Sequence, residues 1–208
     1  MIPRYFHWVW PQNTDPNEHE VALRSWREYH PAWRCLIWTP LPGAVPALFR
    51  DLDFEIRELP TLINQELYSR LSRSAREQDQ THDALALLAG VEIVARYGGA
   101  CPPMGNLCTG NTESLLQGVR LFIRQMATRA HQGEPSSRAI PPFYGATPNH
   151  PALWGVVRGW ESATEQNKIA NLSSAASFAE ALQFGLGCHP DLVAFPATAF
   201  EMQLCAAL

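Results

Sequence analysis

Residues Ala89 to Cys108 read AGVEIVARYGGACPPMGNLC, and the fold turns on how this stretch is read. Its first half completes an apolar helical pattern over Gln80 to Tyr97. Ala84, Leu88, Val91 and Ala95 recur at helical spacing, with Leu85, Leu87 and Val94 beside them. Gly98 or Gly99 ends that helix, because glycine takes the left-handed capping conformation without a steric penalty. A short strand entering a loop follows. Pro102 and Pro103 bar a regular continuation by removing backbone donors.

Working outward, aromatic and β-branched runs alternate with helical patterns. Tyr5 to Trp10 is expected as a buried first strand, Trp33 to Trp38 as a second and Phe54 to Leu59 as a third. Between the first two, Asn17 is placed to cap a helix to His30, with Glu18 and Glu20 suiting its positive end. Val21, Leu23, Trp26 and Tyr29 are its expected apolar positions, and Pro31 stops it. Val45 to Leu52 reads as a short helix. Pro60 to Ser74 reads as a polar helical region with Leu62, Ile63, Leu67 and Leu71 on one side. Thr112 to Arg129 is expected as a helix capped by Asn111 and Thr112, with Leu115, Leu116, Val119, Phe122, Ile123 and Met126 apolar. Gln132 to Pro142 is a polar loop and the expected mobile segment. Phe143 to Thr147 is a strand, Pro151 to Asn167 and Ser177 to Leu186 are helices, and Leu192 to Phe195 is a last strand. Strands alternating with helices predict one α/β domain over residues 1–208 with a mostly parallel central sheet.

Composition narrows the function classes. A net charge of -4 gives no electrostatic reason for a nucleic-acid or membrane partner. The first residues, MIPRYFHWVW, carry too short an apolar run for a signal peptide, and no stretch is long enough to span a bilayer. A cytoplasmic location, or incorporation into a complex or virus particle made there, is expected. Cys35, Cys101, Cys108, Cys188 and Cys205 lack the paired spacing of a zinc site and are expected as reduced structural thiols.

IPRYFHWVW, SWREYHPAWRCLIWT, VARYGG at the end of a helix and FYGATPNHP occur in that order. Together they resemble the family 32 glycosyltransferases, the group with a sugar-binding region and a DXD motif. The group includes yeast-type initiating mannosyltransferases, bacterial capsule enzymes and, more distantly, glucosylating clostridial toxins. The resemblance implies a GT-A fold, Rossmann-like, with a nucleotide-sugar donor at the carboxyl ends of the strands. It assigns His7, Val9 and Trp10, with Trp8 between them, to the strand end that holds the nucleotide base. Tyr97, Gly98 and Gly99 fall on the family's Y-G-G element, and His150 on a G-H-P-like segment before a helix.

The departures matter more. The family's Ser-Asp pair and following Arg would fall on Ala86, Leu87 and Gly90, none of which can make their polar contacts. Asp83, one turn earlier, is the one weak substitute. The two DXD aspartates, which hold a divalent metal on the diphosphate, fall on Pro103 and Gly105. The metal site is therefore expected to be lost, with no cofactor. Three readings stay open: a pseudo-glycosyltransferase kept as a scaffold or assembly subunit with a protein partner, a binder of nucleotide sugar or glycan, and a metal-independent transferase. The first predicts an aromatic or apolar patch remote from the crevice. The second predicts an open cleft with Trp10 at its wall. The third needs Asp83, His82 or an arginine in the crevice, with Arg96, Arg138 and Arg158 as the visible cations.

Overall fold

Apolar runs too short for helices supply the strands, and the longer apolar patterns supply the helices that cover them. The computed structural model describes residues 1–10, 19–74, 81–124, 142–165, 175–187, 189–196 and 202–204. Strands β1 (Tyr5–Val9), β2 (Arg34–Thr39), β3 (Glu55–Glu58), β4 (Gly99–Cys101), β6 (Leu121–Arg124), β7 (Tyr144–Ala146) and β8 (Leu192–Phe195) form one sheet, in the order β3-β2-β1-β4-β7-β6-β8. Every neighbouring pair is parallel except those made by β7, which runs against β4 and β6. Two further strands, β5 (Asn106–Cys108) and β9 (Met202–Leu204), pair antiparallel in a small second sheet. The expected α/β architecture with a mostly parallel sheet is the one observed.

The sheet separates two cores. On one face lie α3 (Gln65–Ser74), α4 (Thr81–Tyr97), α5 (Pro151–Glu165) and α6 (Ala175–Leu186), which bury Val9, Leu36, Leu121, Ile123 and Tyr144. Helix α4 is buried on nearly all sides, which is why its apolar pattern is so broad. On the other face α1 (Glu20–Tyr29) and α2 (Ala47–Asp51) cover an aromatic core that includes Phe6, Trp8, Trp10, Trp26, Trp33, Phe49, Phe122 and Phe143. No described helix is long and apolar enough to cross a membrane.

The Ser25-Trp26-Arg27 segment acts through its packing. The Ser25 hydroxyl accepts the Cys108 amide at 2.8 Å, and Trp26 Nε1 donates to the Asn106 carbonyl at 2.8 Å, so α1 holds β5. Arg27 donates to the Trp33 carbonyl at 3.1 Å and pairs with Asp53, fixing the start of β2. Buried His30 accepts the Thr112 amide at 2.9 Å and ties the turn after β5 to the same helix.

Several expectations are corrected. The helix over Thr112 to Arg129 is instead a 3-10 turn at Glu113–Leu116 followed by β6; residues 125–129 lie outside the described set. Gly118, with φ of 75°, breaks the helical path, and the four buried side chains LFIR sit between two strands. A short apolar run has no decisive period, and its burial on both faces selects the strand. Leu115 is exposed in that turn. Asn111 Oδ1 accepts the Glu113 amide at 2.8 Å as expected of a cap, whereas Thr112 turns its hydroxyl to His30. In α1 the buried residues are Ala22, Leu23 and Trp26; Val21 and Tyr29 face solvent. Ile63 is also exposed, while Leu62, Leu67 and Leu71 are buried. The Asn17 cap and nearly all of the Gln132 to Pro142 loop lie outside the described residues, as do Cys188 and Cys205. Cys35, Cys101 and Cys108 are free thiols, each pushed above the ordinary thiol range by burial.

Candidate functional site

In an open α/β sheet a ligand crevice forms where neighbouring strands send their connections to opposite sides. Here that point lies between β1 and β4, since β2 flanks β1 on its other edge. A crevice does open at their carboxyl ends. Trp8 and Val9 come from β1, Cys101 to Met104 from the exit of β4, and Asp83, Ala86 and Leu87 from the first turns of α4. Its volume is about 50 Å³. Ligand sites for small molecules and cofactors usually enclose ~300–1,000 Å³. Asp83 is the only carboxylate among the lining residues, and Pro102, Pro103 and Met104 line the crevice without a side-chain oxygen.

The site residues expected from sequence do not converge. Val9 and Asp83 meet at the crevice, whereas Tyr97 lies at the far end of α4, about 21 Å along the helix axis from Asp83 at 1.5 Å per residue. Gly98 (φ 68°) and Gly99 (φ 96°) make the turn from α4 into β4. A Cβ on Gly99 would stand 2.7 Å from the Tyr5 carbonyl oxygen, so close approach to β1 accounts for that glycine. His7 is fully buried; its Nε2 donates to the Gly98 carbonyl at 2.8 Å, and its Nδ1 accepts from Trp38 Nε1 at 3.0 Å. Trp10 is 3% exposed and packs edge-on against Phe49 at 5.0 Å, and it is not among the residues lining the crevice. Gly105 lies beside His19.

The visible cations also resolve. Arg96 pairs with buried Glu92 and donates to the Thr61 carbonyl at 2.9 Å, so it braces α4 against the chain leading to α3. Arg158 is exposed on α5, and Arg138 lies outside the described residues. His82 is half-buried in the first turn of α4.

The sequence reading missed Arg124, at the carboxyl end of β6. It is 7% exposed, and its Nε is buried with no hydrogen-bond partner among the described residues. Burial alone lowers its pKa to about 10. With β7 between β6 and β4, it stands two strands from β4, the strand that leads into Pro103, about 10 Å across the sheet. A buried cation is costly unless it is paired, so a partially unsatisfied guanidinium at this strand end calls for an explanation. The available signal was an arginine closing an apolar run, and it was lost when that run was read as a helix.

His150, His189 and Asp191 also cluster, with ligand-type atoms within 4.8 Å of one another. The hydrogen bonds favour a structural reading. His150 Nδ1 accepts the Ala152 amide at 3.3 Å, capping α5, and His189 Nδ1 accepts the Asp191 amide at 3.2 Å. Each ring therefore carries its proton on Nε2, and His150 donates it to Asp191 at 3.3 Å, leaving neither neutral ring a free lone pair for a metal.

The solved structure of the PaToxG glycosyltransferase aligns with this architecture at a TM-score of 0.59, over 89% of this chain and 70% of that one, with 13% sequence identity. The chain has a glycosyltransferase-like fold. A transferase carrying two cysteine-to-serine substitutions aligns at a TM-score of 0.39 with 12% identity, covering 91% of this chain and 86% of that one. No protein-family model matches the chain, and no curated protein matches it in sequence.

Proposed function

We propose that this protein is a pseudo-glycosyltransferase: the fold is kept for binding or assembly, and metal-dependent sugar transfer is lost. The observation that carries this reading is the small, apolar crevice at the carboxyl ends of β1 and β4. A nucleotide diphosphate held through a metal needs oxygen ligands, and proline, methionine and glycine supply none from their side chains. Loss of leaving-group stabilisation at one position typically removes ~3–4 kcal/mol of catalysis, and here the metal, phosphate and sugar contacts are all replaced.

The test is calorimetric titration with UDP-glucose, UDP-N-acetylglucosamine and GDP-mannose, with manganese and with EDTA. Manganese is expected to leave any donor affinity unchanged. A manganese-dependent gain in donor affinity would overturn the reading.

Arg124 favours a second reading, a metal-independent transferase in which a guanidinium neutralises the departing phosphate. Under it, donor hydrolysis persists in EDTA and falls at least ~100-fold in Arg124→Met, the scale of removing one electrostatic stabiliser. Under the first reading neither form hydrolyses donor. The stability of the same variant locates the charge: Arg124→Met is neutral or stabilising if the guanidinium is unpaired in the free protein.

A further inference from the structure

A second cavity, of about 430 Å³, lies on the α4-covered side of the sheet beside the end of that helix and shares no lining residue with the crevice. Strand alternation builds it. The pairings Tyr5↔Arg34, His7↔Leu36 and Trp38↔Arg57 put these six side chains on one face. The Tyr97 ring stacks on buried Trp38 at 5.2 Å and 18°, and is 43% exposed. The Arg34 guanidinium lies 5.5 Å from the centre of the Tyr5 ring.

The floor is saturated and the rim is not. Trp38 Nε1 and both His7 nitrogens are already engaged with each other and with Gly98, and both residues are buried, so the aromatic surface on offer is that of half-exposed Tyr97 and partly exposed Tyr5. At the rim stand Arg34, Arg57 and Glu58, with Glu55 paired to both arginines. Two guanidinium and two carboxylate groups sum to no net charge, which gives an anion such as a nucleotide diphosphate no electrostatic advantage. They do present paired donors and acceptors in fixed planes above aromatic faces. A pyranose has the matching chemistry: hydroxyls around its edge that both donate and accept, and a face of C–H groups suited to the electron-rich face of an aromatic ring. The volume lies within the range of small-ligand sites.

We propose that this cavity is a saccharide-binding site for a neutral glycan, with Tyr97, backed by buried Trp38, as its aromatic platform and Arg34, Arg57 and Glu58 as its hydroxyl-recognising rim. It is separate from the donor crevice and stands whether or not that crevice binds a nucleotide sugar.

The experiment is an NMR titration of the isotope-labelled protein, following tryptophan indole and backbone amide signals. The probes are methyl α-mannoside, methyl β-glucoside, methyl β-galactoside, cellobiose and maltose, with UDP and GDP as anionic counterparts. At least one saccharide is expected to shift the Trp38 indole and the amides around Tyr97. Tyr97→Ala should weaken that binding roughly tenfold or more, as loss of an aromatic anchor does at a binding site. Because Tyr97 is half-exposed, the variant should keep the wild-type melting curve, and Tyr97→Phe should bind within about twofold of wild type, since the ring platform remains. Saturation by UDP or GDP at this cavity, indifference to every saccharide, or binding unchanged in Tyr97→Ala would each overturn the proposal. Shifts confined to Val9, Asp83 and Cys101 would assign the ligand to the crevice and overturn it as well.

Discussion

Replacing Trp26 with alanine is expected to remove ~4 kcal/mol or more of folding stability, the range of buried tryptophan-to-alanine changes in protein cores. Trp26 is fully buried, stacks on His30 at 5.7 Å and meets Phe6 and Phe143 edge-on at 5.1 and 5.2 Å. It also takes a hydrogen bond with it, because its Nε1 supplies a donor to the Asn106 carbonyl. A domain of this kind has only ~5–15 kcal/mol in total, so the variant sits near the edge of folding. Equilibrium urea unfolding measures the loss, and Trp26→Phe separates its parts by keeping an aromatic ring and deleting the donor. A loss under ~2 kcal/mol for alanine would mean that α1 and β5 are held together elsewhere.

The second large effect is a fall in stability of roughly 3 kcal/mol as the pH drops from 6.5 to 4, carried by His7. Burial lowers its pKa from 6.5 to about 4, and the hydrogen bond to the Gly98 carbonyl only partly opposes that shift. The bonding explains why protonation is resisted: Nε2 already donates, and the remaining lone pair on Nδ1 is the acceptor for Trp38 Nε1. Between pH 6.5 and 4 the unfolded chain holds a proton on this ring that the folded chain does not. Stability therefore rises with pH across that window, is fully present above it, and is lost as the pH falls through it. His30 and His150, whose pKa values burial also lowers, act in the same direction. Urea midpoints at closely spaced pH values test this, with His7→Gln as the reference, since the amide can keep a donor toward Gly98 without titrating. A variant with the same pH slope as wild type would remove His7 as the cause.

Legibility followed burial. Strands β1 and β2 and helix α4 were readable because each carries a long apolar signal flanked by proline or glycine. Gly98 and Gly99 were readable as a helix stop, and their positive φ values are the physical form of that signal. The run containing β6 was misread because three apolar residues and an arginine carry no usable period once both faces are buried. β9 was not anticipated, since its pairing with β5 spans most of the chain and leaves no local trace.

The candidate site divides in the same way. That Pro103 and Gly105 offer no side-chain oxygen is a statement about side-chain chemistry, which the sequence by itself determined. Where each candidate sits belongs to the tertiary structure. The structure placed Asp83 and Tyr97 at opposite ends of one helix, sank Trp10 into the aromatic core, and buried Arg124 at a strand end. It also gathered Tyr5, Trp38, Arg57 and Tyr97 around one cavity. Residue type sets what a side chain can bond, and that is local. Desolvation, pairing and convergence depend on which distant strands lie side by side, and strand order is settled only by closing the whole sheet.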